Sequence, residues 1–104
     1  MPELDEMANG QAIDLAIGDD LTIRLPENPT TGYRWEVRSG ADTVCLPVTD
    51  EYRAPKPTPG AGGVHVWVFR AARRGDVGLV LVYRRPWDEP EQQEKVFVVR
   101  LRVA

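Results

Sequence analysis

The residues of this chain that could support nucleophilic catalysis are few: the sequence has one cysteine, one histidine and one serine, Cys45, His65 and Ser39. A catalytic nucleophile needs a neighbouring base within hydrogen-bond reach. His65 alternates in phase with Trp67 and Phe69, which is the pattern of a residue that faces a sheet core. Because a lone buried cysteine or histidine is usually structural, we favour a core-lining or sheet-face role for Cys45 and His65 over a catalytic pair.

The other chemistry-bearing residues do not form a recognisable catalytic or metal-binding motif. The sequence contains no pair of histidines or cysteines at the short spacing of a zinc site. The carboxylate pairs Asp19-Asp20 and Asp88-Glu89 fall in predicted turns, where a solvated charge is more common than a catalytic acid and base. The sequence therefore predicts no metal, no cofactor and no enzyme activity.

Composition and charge favour a single globular domain. The 104 residues are 42% hydrophobic and 28% charged, and the net charge is -3 with acidic and basic residues interspersed. Nucleic-acid binding usually requires a clustered basic patch, so we expect no nucleic-acid partner. No run approaches the roughly 20 apolar residues that span a bilayer, so we expect no membrane association. A monomer is the expected state.

The first ten residues are polar and acidic, without the basic start and apolar stretch of a secretory signal. We interpret residues 1–10 as a flexible tail and residues 11–104 as the folded domain. The localisation predicted from this segment is cytoplasmic, or periplasmic or secreted after removal of a signal.

Apolar residues recur with period two along most of the chain, and no long stretch has a helical period, so the fold should be all-β. Pro47 lacks an N–H donor, which favours an edge position or a bulge for the segment around it. We expect the three longest strands, over 64–71, 77–84 and 95–103, to form the centre of one sheet. Seven or eight strands separated by turns predict an immunoglobulin-like β-sandwich. The predicted strand segments are 13–17, 21–25, 33–37, 44–48, 51–53, 64–71, 77–84 and 95–103.

Three short motifs lie between the predicted strands, and each fixes the backbone while it leaves side chains or bare amides free to contact a partner. The first motif has proline and glycine around two stiff threonines. The second motif is nearly free of side chains, so that another backbone could approach it closely. The third motif places a tryptophan in a polar loop, as an interface anchor often is. The motifs are Asn28-Pro29-Thr30-Thr31-Gly32, Gly60-Ala61-Gly62-Gly63 and Arg85-Pro86-Trp87.

These motifs, in this order and at these spacings, resemble the signature loops of the chagasin-like inhibitors of cysteine peptidases. The similarity extends from about Gly10 to Ala104 and includes Leu25-Pro26 before the first motif and Tyr83 before the third. It implies an immunoglobulin-like sandwich that inhibits papain-like peptidases of the cathepsin L type reversibly and without covalent chemistry.

The resemblance also implies a role for each motif. The first motif would reach the catalytic cysteine and histidine of the target, with Thr30 and Thr31 foremost. The second motif would lie along the non-primed side of the cleft and form backbone hydrogen bonds. The third motif would cover the primed side.

Two other functions are compatible with a small β-sandwich. One is an adhesion or scaffold domain whose loops are only turns. The other is a carbohydrate-binding module that stacks sugars on Trp35, Trp67 and Trp87. Alternation places Trp35 and Trp67 on apolar strand faces, which favours a core position for both.

Overall fold

The computed structural model describes residues 2–28, 31–54, 62–88 and 95–104. Eight strands account for most of them, and the segment Glu6–Ala8 near the start forms a 3-10 turn. The strands are β1 (Glu3–Leu4), β2 (Ala12–Leu15), β3 (Asp20–Glu27), β4 (Arg34–Ser39), β5 (Cys45–Arg53), β6 (Gly63–Ala71), β7 (Gly75–Arg84) and β8 (Lys95–Val103). None of the helical structure in these ranges is long and apolar enough to cross a membrane.

The strands form two four-stranded sheets with the orders β1-β3-β6-β5 and β2-β8-β7-β4. The short strands β1 and β2 pair in parallel with β3 and β8, and the remaining pairs are antiparallel. This arrangement confirms the prediction of an all-β, immunoglobulin-like sandwich of seven or eight strands.

The core lies between the sheets, where alternate residues of each strand point inward, as the period-two pattern requires. Burial of each large apolar side chain contributes about 1.5–3 kcal/mol. The largest fully buried apolar residues are Trp67, Phe69, Phe97, Leu21, Ile23, Leu25, Leu79, Leu81 and Leu101.

The prediction that the three longest strands share one centre is wrong in one respect. β6 is an inner strand of one sheet, whereas β7 and β8 are the two inner strands of the other. Periodicity identifies buried strands but does not show which strands pair, because sandwich partners are distant in sequence.

The strand around Pro47 is at a sheet edge, as predicted, but it is longer than predicted. β5 runs continuously from Cys45 to Arg53, with an irregularity in its pairing between Pro47 and Thr49. Cys45 is fully buried, whereas Leu46 and Val48 are exposed. The small side chain of Cys45 thus fills a core position, which agrees with the core-lining role expected for it, while the larger apolar residues Leu46 and Val48 face outward at the sheet edge.

Two expectations near the N-terminus also differ from the structure. The sequence predicts a flexible tail over residues 1–10, but β1 pairs with β3 and Ala8 is buried in the core. The Asn9 side chain accepts a hydrogen bond from the Val98 N–H at 2.8 Å, which fixes the segment to β8. The predicted strand over 13–17 ends at Leu15, and Ile17 is exposed. The contacts of β1 with β3 and of Asn9 with β8 join segments that are distant in sequence, so the local pattern of residues does not indicate them.

Candidate functional site

The strand register brings the described parts of all three motifs to one end of the sandwich. Glu27, which precedes the first motif, pairs with Gly63 of the second. On the other sheet, Arg34 pairs with Arg84, which precedes the third motif. We call this end of the sandwich the motif end.

The third motif presents an exposed indole that is nevertheless in contact with the first motif. Trp87 is 70% exposed. Its ring lies over Gly32, so that a Cβ at that position would be 2.5 Å from Cη2 of the indole. Gly32 also has a φ of 83°, a left-handed conformation in which glycine is favoured. Glycine at position 32 therefore allows both the left-handed turn and the close packing of the Trp87 ring.

Arg85 holds the third motif in shape through contacts on both sides of its guanidinium group. Its Nε donates to Oδ2 of Asp88 at 2.9 Å, and its Nη2 donates to Oδ1 at 3.2 Å. The guanidinium carbon lies 5.1 Å from the ring centre of Tyr33 and 5.6 Å from that of Trp87. These are cation–π distances. Asp88 is therefore a paired charge that orients Arg85, and Arg85 in turn lies between two aromatic rings.

The first motif is closed by its own hydrogen bonds. The Thr31 N–H and Oγ1 both donate to the carbonyl of Asn28, at 3.2 and 2.8 Å. The Tyr33 N–H donates to Oγ1 of Thr31 at 3.3 Å. The hydroxyl of Thr31 is thus engaged in holding the turn. Pro29 and Thr30, the two other residues predicted for this motif, lie outside the described residues.

Tyr83 contacts the chain at both ends of the first motif. Its ring centre is 5.4 Å from that of Tyr33 and 5.0 Å from that of Trp35. The Asn28 N–H donates to the Tyr83 hydroxyl at 3.4 Å. One residue of β7 thereby contacts the chain where it enters the motif and where it leaves.

The second motif is divided between strand and loop. Gly60 and Ala61 lie outside the described residues. Gly62 is exposed, and a Cβ there would lie 3.4 Å from Cβ of Asn28, so the first and second motifs are adjacent. The sequence predicts Gly63 as part of the loop, but it is the buried first residue of β6. It packs so closely against the Arg53 carbonyl and the Tyr52 side chain that no Cβ fits.

A buried polar cluster supports the motif end from inside the sandwich, and sequence reasoning missed its central residue. Glu27 is only 2% exposed. Its carboxylate accepts from the Trp35 N–H at 2.7 Å and lies 3.0 Å from Nδ1 of His65. Nε2 of His65 contacts a carboxylate oxygen of Asp50. Glu27 continues the inward alternation of Leu21, Ile23 and Leu25, and that signal could have identified it.

The catalytic alternatives are not supported by the geometry. Cys45 pairs with Ala71, six residues along β6 from His65, which is about 20 Å at the rise of a strand. Burial also raises the pKa of the Cys45 thiol, which disfavours the reactive thiolate. Within the described ranges, no group of three or more His, Cys, Asp or Glu residues could hold a metal ion.

Comparison with known proteins gives matches over nearly the whole chain. The model of the chagasin family peptidase inhibitors, I42, matches residues 14–101. The chain is 37% identical over 103 residues to amoebiasin-1 of Entamoeba histolytica, covering 96% of this chain and 97% of that protein. It is 31% identical over 99 residues to chagasin of Trypanosoma cruzi, covering 90% of each.

The fold matches a solved structure as well. The crystal structure of a cysteine protease inhibitor from Entamoeba histolytica superposes with a TM-score of 0.89. The match covers 99% of this chain and 95% of that one at 20% sequence identity, so it supports the fold alone.

Proposed function

The chain belongs to the chagasin family of inhibitors of papain-like cysteine peptidases, and we propose that its motif end enters the active-site cleft of such a peptidase as a wedge. It is an inhibitor and not an enzyme. Inhibition by this route is reversible and needs no covalent bond, because the wedge only has to occupy the cleft.

The main observation behind this proposal is that the Trp87 ring packs against Gly32. An indole that is 70% exposed and yet held against the neighbouring motif is a ready anchor for a partner protein. Because Arg85 is fixed by Asp88, the third motif loses little conformational entropy on binding. More of the contact energy is then available as affinity.

We assign each motif a part of the cleft. The first motif, Asn28 to Gly32, covers the catalytic cysteine and histidine of the peptidase. Of the second motif, Gly60 to Gly62 lie along the non-primed side, where Gly62 offers an exposed backbone without a side chain. The third, Arg85 to Trp87, covers the primed side.

The inhibitor should remain uncleaved, because the described part of the first motif is a closed turn and not an extended, substrate-like strand. Both donors of Thr31 are bound to the carbonyl of Asn28. A peptidase that cuts extended peptides would have to open this turn before cleavage.

An inhibition assay tests the proposal. Papain and a cathepsin L-type peptidase are incubated with the protein and a fluorogenic peptide, and the initial rates are fitted at several substrate concentrations. We expect competitive inhibition that is relieved on dilution, with the inhibitor intact by mass spectrometry afterwards. Full activity of both peptidases at micromolar inhibitor would show that the proposal is wrong.

The structure does not support the carbohydrate-binding alternative. Stacking of a sugar chain requires several exposed aromatic rings, but Trp35 and Trp67 are 7% and 1% exposed. Of the three tryptophans, only Trp87 is available to a ligand.

A further inference from the structure

We infer that Glu27, held by His65, is a positioning residue for the first motif, in addition to the motif residues themselves. The inference rests on the proposed function, because the motif matters only if it contacts a peptidase. Its physical basis is a buried hydrogen-bond cluster that joins the two ends of the motif.

Glu27 is placed to bind the chain on both sides of the first motif. It is the last residue of β3, so its backbone leads directly into Asn28. Its carboxylate accepts from the N–H of Trp35 on β4 at 2.7 Å, where the chain has left the motif. Nε of Arg34 lies 3.5 Å from the other carboxylate oxygen. One side chain thus links the segment that precedes the motif to the segment that follows it and connects the two sheets.

His65 fixes the position of that carboxylate. Its Nδ1 lies 3.0 Å from Oε2 of Glu27, and its Nε2 contacts Asp50 of β5. Its ring stacks on Trp67 with a centroid distance of 4.0 Å and an interplanar angle of 8°. His65 is held between two strands and an aromatic ring, so it gives Glu27 one defined orientation.

The surroundings of Glu27 include a second link between β3 and β4 and one residue of the second motif. The Trp35 indole Nε1 donates to the carbonyl of Pro26 at 2.8 Å, which holds β3 and β4 together one residue before Glu27. Gly62 of the second motif lies against the Glu27 carbonyl, since a Cβ there would be 3.5 Å from it. A displacement of Glu27 would therefore move both motifs.

The chemical type of residue 27 argues for a role beyond core packing. The preceding inward residues of β3 are Leu21, Ile23 and Leu25, all fully buried. Burying a carboxylate at the next inward position has a desolvation cost, and apolar replacements of buried ion pairs are often as stable or more stable. What the carboxylate supplies, and leucine cannot, is a directional link to Trp35 and His65.

The test compares Glu27→Leu, Glu27→Gln and a matched control, Asp20→Leu. Asp20 is at the other end of β3 and pairs with Arg70 of β6, so the control replaces a carboxylate by leucine on the same two strands, away from the motifs. All variants are assayed against papain well below their melting temperatures. We expect Glu27→Leu to raise the inhibition constant at least tenfold. Glu27→Gln, which keeps an acceptor oxygen, should stay within about threefold of the parent protein, as should Asp20→Leu.

A second measurement needs no peptidase and also covers the case in which Glu27→Leu is too unstable to assay. Amide exchange by NMR should show that the Trp35 N–H is protected in the parent protein and in Glu27→Gln. That protection should be lost in a Glu27→Leu/His65→Leu double variant. Both residues are replaced so that neither polar side chain is left buried without the other. The amides of Leu79 and Leu81 in the core should stay protected and serve as the internal control.

The outcomes separate this inference from the proposed function. If the parent protein does not inhibit papain but Trp35 exchange depends on Glu27 as expected, the proposed function fails and the positioning of residues 28–34 stands. If Glu27→Leu is folded and inhibits like the parent, or if Asp20→Leu loses as much inhibition, Glu27 is not a positioning residue. Unchanged protection of Trp35 in the folded double variant would overturn the inference as well.

Discussion

The indole of Trp87 and the Cα of Gly32 are in direct contact across two motifs that are more than fifty residues apart in sequence. A Cβ at position 32 would displace the indole, and the φ of 83° there also favours glycine. The contact joins the end of the first motif to the third motif.

Gly32→Ala should weaken inhibition by displacing Trp87. A matched control is Gly10→Ala, because Gly10 has a similar φ of 86° but no atom lies within 4 Å of the place that a Cβ would take. Both variants should lose about 1–2 kcal/mol of folding stability from the left-handed backbone. Only Gly32→Ala should raise the inhibition constant, by tenfold or more. Equal inhibition by the two variants would show that the Gly32–Trp87 contact is irrelevant to binding.

Trp87→Ala should weaken binding to papain by about 1–3 kcal/mol, the usual cost of losing an aromatic anchor. Because the indole is 70% exposed, the melting temperature should remain unchanged. Inhibition constants and thermal melts of the same preparations provide the check. A lower melting temperature with unchanged inhibition would mean that Trp87 contributes to the fold and not to the interface.

The fold is predictable because alternation is local and strong in most strands, as in the run from Leu21 to Leu25. The same run shows where prediction stops too early. Proline at position 26 predicts the end of the strand, but β3 continues to Glu27. β1 pairs with β3 only as far as Ile23, so the missing N–H of Pro26 costs no ladder hydrogen bond on that side.

The motif residues are predictable as turns, but their mutual contacts are not. Proline and glycine indicate a turn through local backbone preference. The contact of Trp87 with Gly32 joins residues 55 positions apart, and that of His65 with Glu27 joins residues 38 positions apart. Both contacts depend on the strand register. Sequence periodicity does not contain that register.

Cys45→Ala should leave inhibition of papain unchanged, because Cys45 lies at the far end of β5 from the motifs. Burial raises the pKa of its thiol. The folded state therefore holds the thiol proton more tightly than the unfolded state does. The free energy of unfolding should be highest below the ordinary thiol pKa and should fall as pH rises from there through the raised value. Alkylation of the parent protein should be slow when folded and fast in denaturant. A folded Cys45→Ala variant without inhibition would contradict the proposed mechanism.

Asp20→Asn should make stability less sensitive to acid. The hydrogen bonds from Arg70, at 2.8 and 3.2 Å, lower the pKa of the Asp20 carboxyl. A lowered pKa contributes stability above the ordinary carboxyl pKa, and this contribution is lost as pH falls through the lowered value. Urea unfolding from pH 7 down to pH 2 should therefore show a shallower decline for the variant. Parallel curves for the two proteins would show that this ion pair does not contribute.

The most direct test of the wedge is calorimetric titration of the protein into two forms of papain, one with a free cleft and one whose active-site cysteine carries a bulky peptidyl inhibitor that fills the cleft. A wedge made of the three motifs requires the space that this group occupies. We expect tight one-to-one binding to the free peptidase and no measurable binding to the blocked form. Equal affinity for both forms would show that the protein binds outside the cleft and would contradict the account.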